Sequence, residues 1–294
     1  MAPSAGVERL VARCSFPPPG TEVSCAVSGG ADSLALLVLA VEAGCRVTAI
    51  HVDHGLRPGS AAEAEVVAAA AQRFGAGFIA RRVEVAAGPN LEERAREARR
   101  GVLPPDVLTG HTADDQAETL LLALVRGAGW TGLGAMQPDR RPLLDLRRTE
   151  TRSLCETLGL VPVEDPMNAD RRFARTRIRH DVLPALSEAA GRDVVPTLVR
   201  AAALLRAGGG VLDELAAELD PTDARAVAAA HELIARTAIR CWVRDGWDSH
   251  HPPDLAAVDR VLCVARCEAR ATDIGRGWRV RRSGQRLSLV APTG

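Results

Sequence analysis

Val23-Ser24-Cys25-Ala26-Val27 runs straight into Ser28-Gly29-Gly30-Ala31-Asp32-Ser33, and the leucine-rich stretch Leu34 to Val41 follows at once. A short apolar run, a glycine pair and a longer apolar run spell strand, tight turn and helix. Two glycines let the backbone turn sharply and approach an anion with no Cβ in the way, and the unpaired amides opening the helix point toward it. Asp32 and Ser33 stand at the helix entry, where short polar side chains cap the helix, hold Mg²⁺ or touch a phosphate oxygen. An ordinary capped turn would use the same residues, so the loop alone does not decide between scaffold and phosphate cradle.

The pattern around it alternates. Val23–Val27, Val47–Val52, Gly77–Val85 and Asp106–Thr109 read as strands, and Leu34–Ala43, Ala61–Phe74 and Leu91–Arg100 read as helices between them. Such alternation predicts parallel strands joined by crossover helices, with ligands at the carboxyl ends of the strands. The polar residues fall at those ends: Ser28 after the first strand, Asp53 after the second and His111 after a later one. After Gly191 the composition turns to helix-forming stretches, Val194–Ala207 and Val211–Leu219 separated by Gly208-Gly209-Gly210, then Ala224–Arg244 and Leu255–Arg266. Trp278 to Val290 alternates on both sides of Ser283-Gly284, which marks a hairpin carrying several Arg. The expected architecture is an α/β parallel-sheet nucleotide-binding domain, residues 1–187, followed by a small mainly helical domain, residues 188–294, ending in a β-hairpin.

Composition removes several chemistries. All 37 basic residues are Arg, so no Walker-type lysine, Schiff base or lysyl-nucleotide intermediate can form. The 37 acids balance them, and any basic surface is local. One such surface is Arg171-Arg172-Phe173-Ala174-Arg175-Thr176-Arg177-Ile178-Arg179-His180, which contains no acid, and this makes Arg175, Arg177 and Arg179 candidates for RNA phosphates. Seven cysteines without a Cys-x-x-Cys pair, behind an N-terminus with no export signal, predict a reduced cytoplasmic protein. No uninterrupted apolar run approaches the roughly 18 residues of a membrane span, so no membrane partner is expected.

The densest polar segment is Gly110-His111-Thr112-Ala113-Asp114-Asp115-Gln116-Ala117-Glu118-Thr119. A helix starting near Thr112 puts Asp114 one turn from Glu118 and His111 one turn from Asp115, ahead of the apolar run Leu120–Val125. Acids at a helix entry can serve its dipole alone. Burying the rest of the helix, however, would hold these groups near the strand ends, where carboxylates bind Mg²⁺ and a His meets charge developing on a transferring nucleotidyl group. His51-Val52-Asp53-His54-Gly55-Leu56-Arg57-Pro58 ends the second strand where a nucleoside would meet backbone and a carboxylate.

Taken together, these blocks, with Asn90 to Arg99, Arg126-Gly127-Ala128-Gly129, Glu164-Asp165-Pro166 and Arg175 to Arg179, resemble the tRNA(Ile)-lysidine synthetases, a branch of the PP-loop N-type ATP pyrophosphatases, over residues 23–186. The resemblance implies an adenine nucleotide alpha-hydrolase-like fold and a two-step reaction. ATP adenylates C2–O of the cytidine at the first anticodon position of tRNA(Ile) with a CAU anticodon, and free L-lysine then displaces AMP through its ε-amine. It implies that Ser28, Gly29, Gly30, Ala31, Asp32 and Ser33 cradle the pyrophosphate, with Asp53 also in the nucleotide site. Asp32 and Asp115 become candidates for Mg²⁺ or lysine, His111 for the α-phosphate, and Arg96 and Arg99 for charge complementation. Thr176 stands where the family generally carries Asn, and the run 100–106 is short for the family. The chain resembles the short form, without an extra terminal domain; a homodimer is compatible with the sequence and not fixed by it.

Two other readings use the same loop. A tRNA cytidine thiolase would need cysteines placed for sulfur or an iron–sulfur cluster. A non-catalytic RNA- or nucleotide-binding module would not need the acids that follow His111.

Overall fold

A computed structural model describes residues 5–53, 60–83, 94, 98, 101–164, 170–247 and 253–292. Arg96 and Arg99 lie outside the described residues, as do His54 to Pro58. Two compact units emerge, Met1–Leu204 and Leu205–Gly294, a division later than the expected boundary after residue 187.

The first unit opens with α1 (Ala5–Val11), β1 (Glu22–Ala26), α2 (Ala31–Glu42), β2 (Arg46–Asp53), α3 (Ser60–Arg73), β3 (Gly77–Arg82) and β4 (Leu108–Thr109). The strands form one parallel sheet in the order β3-β2-β1-β4. α2 is apolar on every side because it is enclosed on every side: Leu34, Leu36, Leu37 and Leu39 are fully buried, packed with Val47, Ala49, Val67 and Leu146. Each such leucine contributes roughly 1.5–3 kcal/mol by leaving water. That burial fixes the start of α2, and with it the Ser28–Ser33 turn.

The strand order also locates a crevice. From β1 the chain steps to β2 and β3 on one side, then returns to pair β4 on the other, so the connections diverge between β1 and β4. Loops leaving a parallel sheet in opposite directions open a cleft at that point. Ser28 follows β1, and Gly110-His111 follow β4.

The unit continues through α4 (Ala113–Val125), α5 (Trp130–Leu133), α6 (Arg148–Thr157), α7 (Ala174–Arg177), a π-helical turn (Ile178–Val182) and α8 (Leu183–Ala190). α9 (Val195–Ala217) runs unbroken through Gly208-Gly209-Gly210, where the sequence predicts a break. Each helical glycine costs about 1 kcal/mol against alanine, and the Ala- and Leu-rich flanks outweigh it. Uninterrupted, α9 is long and apolar enough to cross a membrane by length and composition alone, and a single helix of this kind does not distinguish a span from a soluble helix.

In the second unit α10 (Ala224–Ala229), α11 (Glu232–Gly246) and α12 (Leu255–Ala265) pack with β5 (Ala271–Gly275), β6 (Trp278–Ser283) and β7 (Arg286–Val290). The expected hairpin is β6–β7, turning at Gly284 with φ +60°. β5 adds an antiparallel third strand that the sequence reading omits, because Ala271–Gly275 is short and lacks a clean alternation.

Candidate active site at the strand ends

The Ser28–Ser33 turn is held by its own side chains. Ser33 Oγ donates to Gly30 O at 2.8 Å and accepts from the Ser28 amide at 3.2 Å. Gly29 adopts φ +93°, a conformation costly for any residue with a Cβ, and Gly30 caps α2 in an extended conformation without a side-chain bond. Val163 N donates to Gly29 O at 3.0 Å, so the segment before residue 164 braces the turn. At the edge of the turn, Asp32 accepts a hydrogen bond from Thr151 Oγ1 and faces Arg148 Nε at 3.5 Å. Burial pushes the Asp32 carboxyl above its usual value, against the opposing pull of Thr151 and Arg148.

Across the crevice, α4 begins with a capping box in which Asp115 Oδ2 accepts from Thr112 N at 2.9 Å and Thr112 Oγ1 at 3.0 Å. Asp115 Oδ1 accepts from Arg148 Nη2 at 2.8 Å and Arg175 Nη2 at 3.0 Å. One turn on, Glu118 is wholly buried; Oε1 accepts from Arg148 Nη1 at 3.1 Å and Arg179 Nε at 2.7 Å, and Oε2 from Arg175 Nε at 2.8 Å and Arg179 Nη2 at 3.1 Å. Burial alone would raise the Asp115 carboxyl; Arg148, Arg175, the Thr112 amide and His111 outweigh it and hold it below the usual range. Asp114 turns outward to Arg147, at 3.1 Å from Nε and 2.9 Å from Nη2, and accepts the Arg148 amide at 2.8 Å.

Two histidines flank this centre. His111 Nδ1 lies 2.9 Å from Thr109 Oγ1, which orients the ring just past β4. His51 is buried, and its Nδ1–H donates to Val27 O at 3.0 Å, tying the end of β2 to the residue before the turn.

The arrangement can be compared with known proteins. The PP-loop domain family matches residues 5–186. A tRNA(Ile)-lysidine synthase from Nocardia farcinica is 44% identical over 272 residues, 85% of each chain. One from Rhodococcus jostii is 42% identical over 296 residues, 92% of this chain and 90% of that protein. This chain belongs to the tRNA(Ile)-lysidine synthase family. Among solved structures, a U34-tRNA thiolase from Methanococcus maripaludis superposes with a TM-score of 0.55 at 19% identity, over 68% of this chain and 78% of that one, and so shares the fold.

For a lysidine synthase family member, the sequence finds the turn, His111, Asp115 and Glu118, and the structure gathers them around one crevice. Asp53 ends β2, the neighbour of β1. Arg175, Arg177 and Arg179, expected to face RNA, are engaged within the protein. Arg175 and Arg179 hold Asp115 and Glu118, while Arg177 Nη1 donates to the carbonyls of Arg171 and Arg172 at 3.1 and 3.0 Å. Arg179 lies in the π-helical turn, a distortion that recurs at functional sites. The residues missed from sequence are Arg147, Arg148 and Thr151, all at the start of α6. The only available signal is an Arg pair between the buried Leu143, Leu144 and Leu146 and a helix whose third residue, Glu150, accepts from the Arg147 amide at 2.8 Å.

Proposed function

We propose that this chain ligates the ε-amine of free L-lysine to C2 of the first anticodon cytidine of tRNA(Ile) bearing CAU, converting ATP to AMP and diphosphate. The observation carrying this reading is that a phosphate-type glycine turn and a buried acid pair face each other across one β1/β4 crevice, in a chain of the tRNA(Ile)-lysidine synthase family. In the first step C2–O of cytidine attacks the α-phosphorus, the bond to the β-phosphate oxygen breaks, and diphosphate leaves. The amides of residues 29–32, which the turn's own hydrogen bonds leave over, neutralise that departing charge, and His111 faces the α-phosphate. In the second step the lysine amine attacks C2, the C2–O bond breaks, and AMP departs with the oxygen. Asp115 and Glu118 hold the ammonium and receive its proton once a guanidinium has given up its place on them.

Mg²⁺ would offset charge on the triphosphate. Asp32 suits it: the carboxylate borders the turn and, among the described residues, accepts from Thr151 and faces Arg148 at 3.5 Å. Asp115, the other expected ligand, is filled with donors. tRNA would be held by the C-terminal region, residues 188–294, where Arg279 and Arg281 are exposed along β6. Substrates of this kind, ATP, tRNA and free lysine, imply a cytoplasmic enzyme. A thiolase reading gains nothing from the cysteines: among the described residues no three of them gather as metal ligands, and Cys25, Cys45 and Cys155 are buried in the core.

The test is incorporation of labelled lysine into a tRNA(Ile) transcript with a CAU anticodon. Label in the tRNA, with AMP release requiring ATP, lysine and tRNA together, supports the scheme; AMP release indifferent to lysine, with no label transferred, overturns it.

A further inference from the structure

An ionised carboxylate offers about four lone-pair positions. Asp115 accepts four hydrogen bonds, two from Thr112 and one each from Arg148 and Arg175. Glu118 also accepts four, one from Arg148, one from Arg175 and two from Arg179. Neither acid has room for a further donor or a cation. The charges close as well: Asp32, Asp115 and Glu118 face Arg148, Arg175 and Arg179. Among the described residues, an ammonium arriving at this cluster meets three guanidiniums and no unneutralised acid, so it enters only when a guanidinium leaves.

The three arginines are not equivalent. Arg179 grips Glu118 through two nitrogens, and Arg175 reaches both acids of α4 from α7. Arg148 alone spans the crevice, touching Asp115 and Glu118 with its terminal nitrogens and Asp32 of the phosphate turn with Nε. A triphosphate on the turn would therefore arrive beside Arg148 and offer it planar anionic oxygens, the partner guanidinium pairs with best.

We propose that Arg148 is an exchange switch that orders substrate binding. Where it lies against both acids, Arg148 closes Asp115 and Glu118 to cations. A triphosphate bound at residues 28–33 draws the guanidinium away, releasing one acceptor position on each acid for the ammonium of the amine substrate. Nucleotide binding thus precedes amine binding, and Arg148 acts as a positioning residue. The inference rests on the proposed function for the identity of the amine, lysine; the exchange itself rests on the hydrogen-bond inventory.

Equilibrium dialysis of labelled lysine against the full chain, with and without a non-hydrolysable ATP analogue, tests it. Wild type should bind lysine about tenfold or more tightly when the analogue is present, and coupling is reciprocal, so lysine should tighten analogue binding by the same factor. The second measurement uses wild type alone and stands even if a variant folds poorly. R148Q should bind lysine without nucleotide, its dependence on analogue falling to within about twofold. Equal lysine affinity in both wild-type states, or an R148Q protein that keeps the full dependence, overturns the switch while leaving lysine as the substrate. A chain that binds analogue but no lysine in any state, R148Q included, overturns the lysine reading and the switch with it.

Discussion

Gly110 sits so close to Asp32 that a β carbon on it would fall 2.5 Å from the Asp32 carbonyl oxygen and 3.1 Å from the Ser33 amide nitrogen. The end of β4 is thereby pressed against the first turn of α2, and the two motifs form one wall because a hydrogen is the only side chain that fits. G110A should separate them, costing about 1–3 kcal/mol of stability by overpacking. It should also weaken ATP binding more than that destabilisation accounts for. Thermal melts combined with nucleotide titration check this; wild-type ATP affinity in a folded G110A protein would contradict it.

Glu118 has no exposed surface and holds three arginines. E118Q leaves them facing one fewer negative charge. Removing one partner of a buried pair costs about 3–5 kcal/mol, and the low end applies here because the arginine side chains remain a quarter to a third exposed. Denaturant unfolding should show a loss of about 3 kcal/mol. A variant as stable as wild type would mean that the cluster does not hold α7 to α4.

The pairing of Arg175 and Arg179 with buried acids shows what a linear sequence withholds. The run 171–180 has no acid of its own, so its charge reads as open to an anion; its partners, Asp115 and Glu118, lie about sixty residues earlier and meet it only after α4 and α7 pack. Arg148 was invisible for the same reason, since its three acids come from two other elements. The glycine turn and the His111–Glu118 segment were legible because local chemistry concentrates there: backbone freedom, a helix entry and polar residues beside apolar runs. The Gly208–Gly210 break failed because a local propensity was outweighed by its neighbours.

Acid should loosen this centre. Asp114 and Asp115 are held below the usual carboxylate range, burial being outweighed by Arg147 and Arg148 respectively. Their folded values lie under their unfolded ones, so their stabilisation is complete above a pH of about 4 and disappears as pH falls through the lowered values. Melting temperature measured against pH should drop below that point, and less steeply in D114N. Asp32 runs the other way. Its raised carboxyl makes the ionised form a cost to folding at neutral pH, so D32N should keep or raise the melting temperature while abolishing ATP turnover. A large fall in melting temperature would contradict it.

Arg279 and Arg281 alternate on β6 with the buried Val280 and face outward together. If they meet tRNA phosphates, replacing both with Ser should weaken tRNA binding and reduce the slope of log K against log salt by about 1–2. An unchanged slope would remove this strand from the RNA interface.

The most direct test of the central claim is a crystal structure of the chain with a non-hydrolysable ATP analogue. The phosphates should lie on the amides of residues 29–32, the α-phosphate should face His111, and the guanidinium of Arg148 should have moved from Asp115 toward them. Nucleotide bound anywhere outside the β1/β4 crevice would contradict the account.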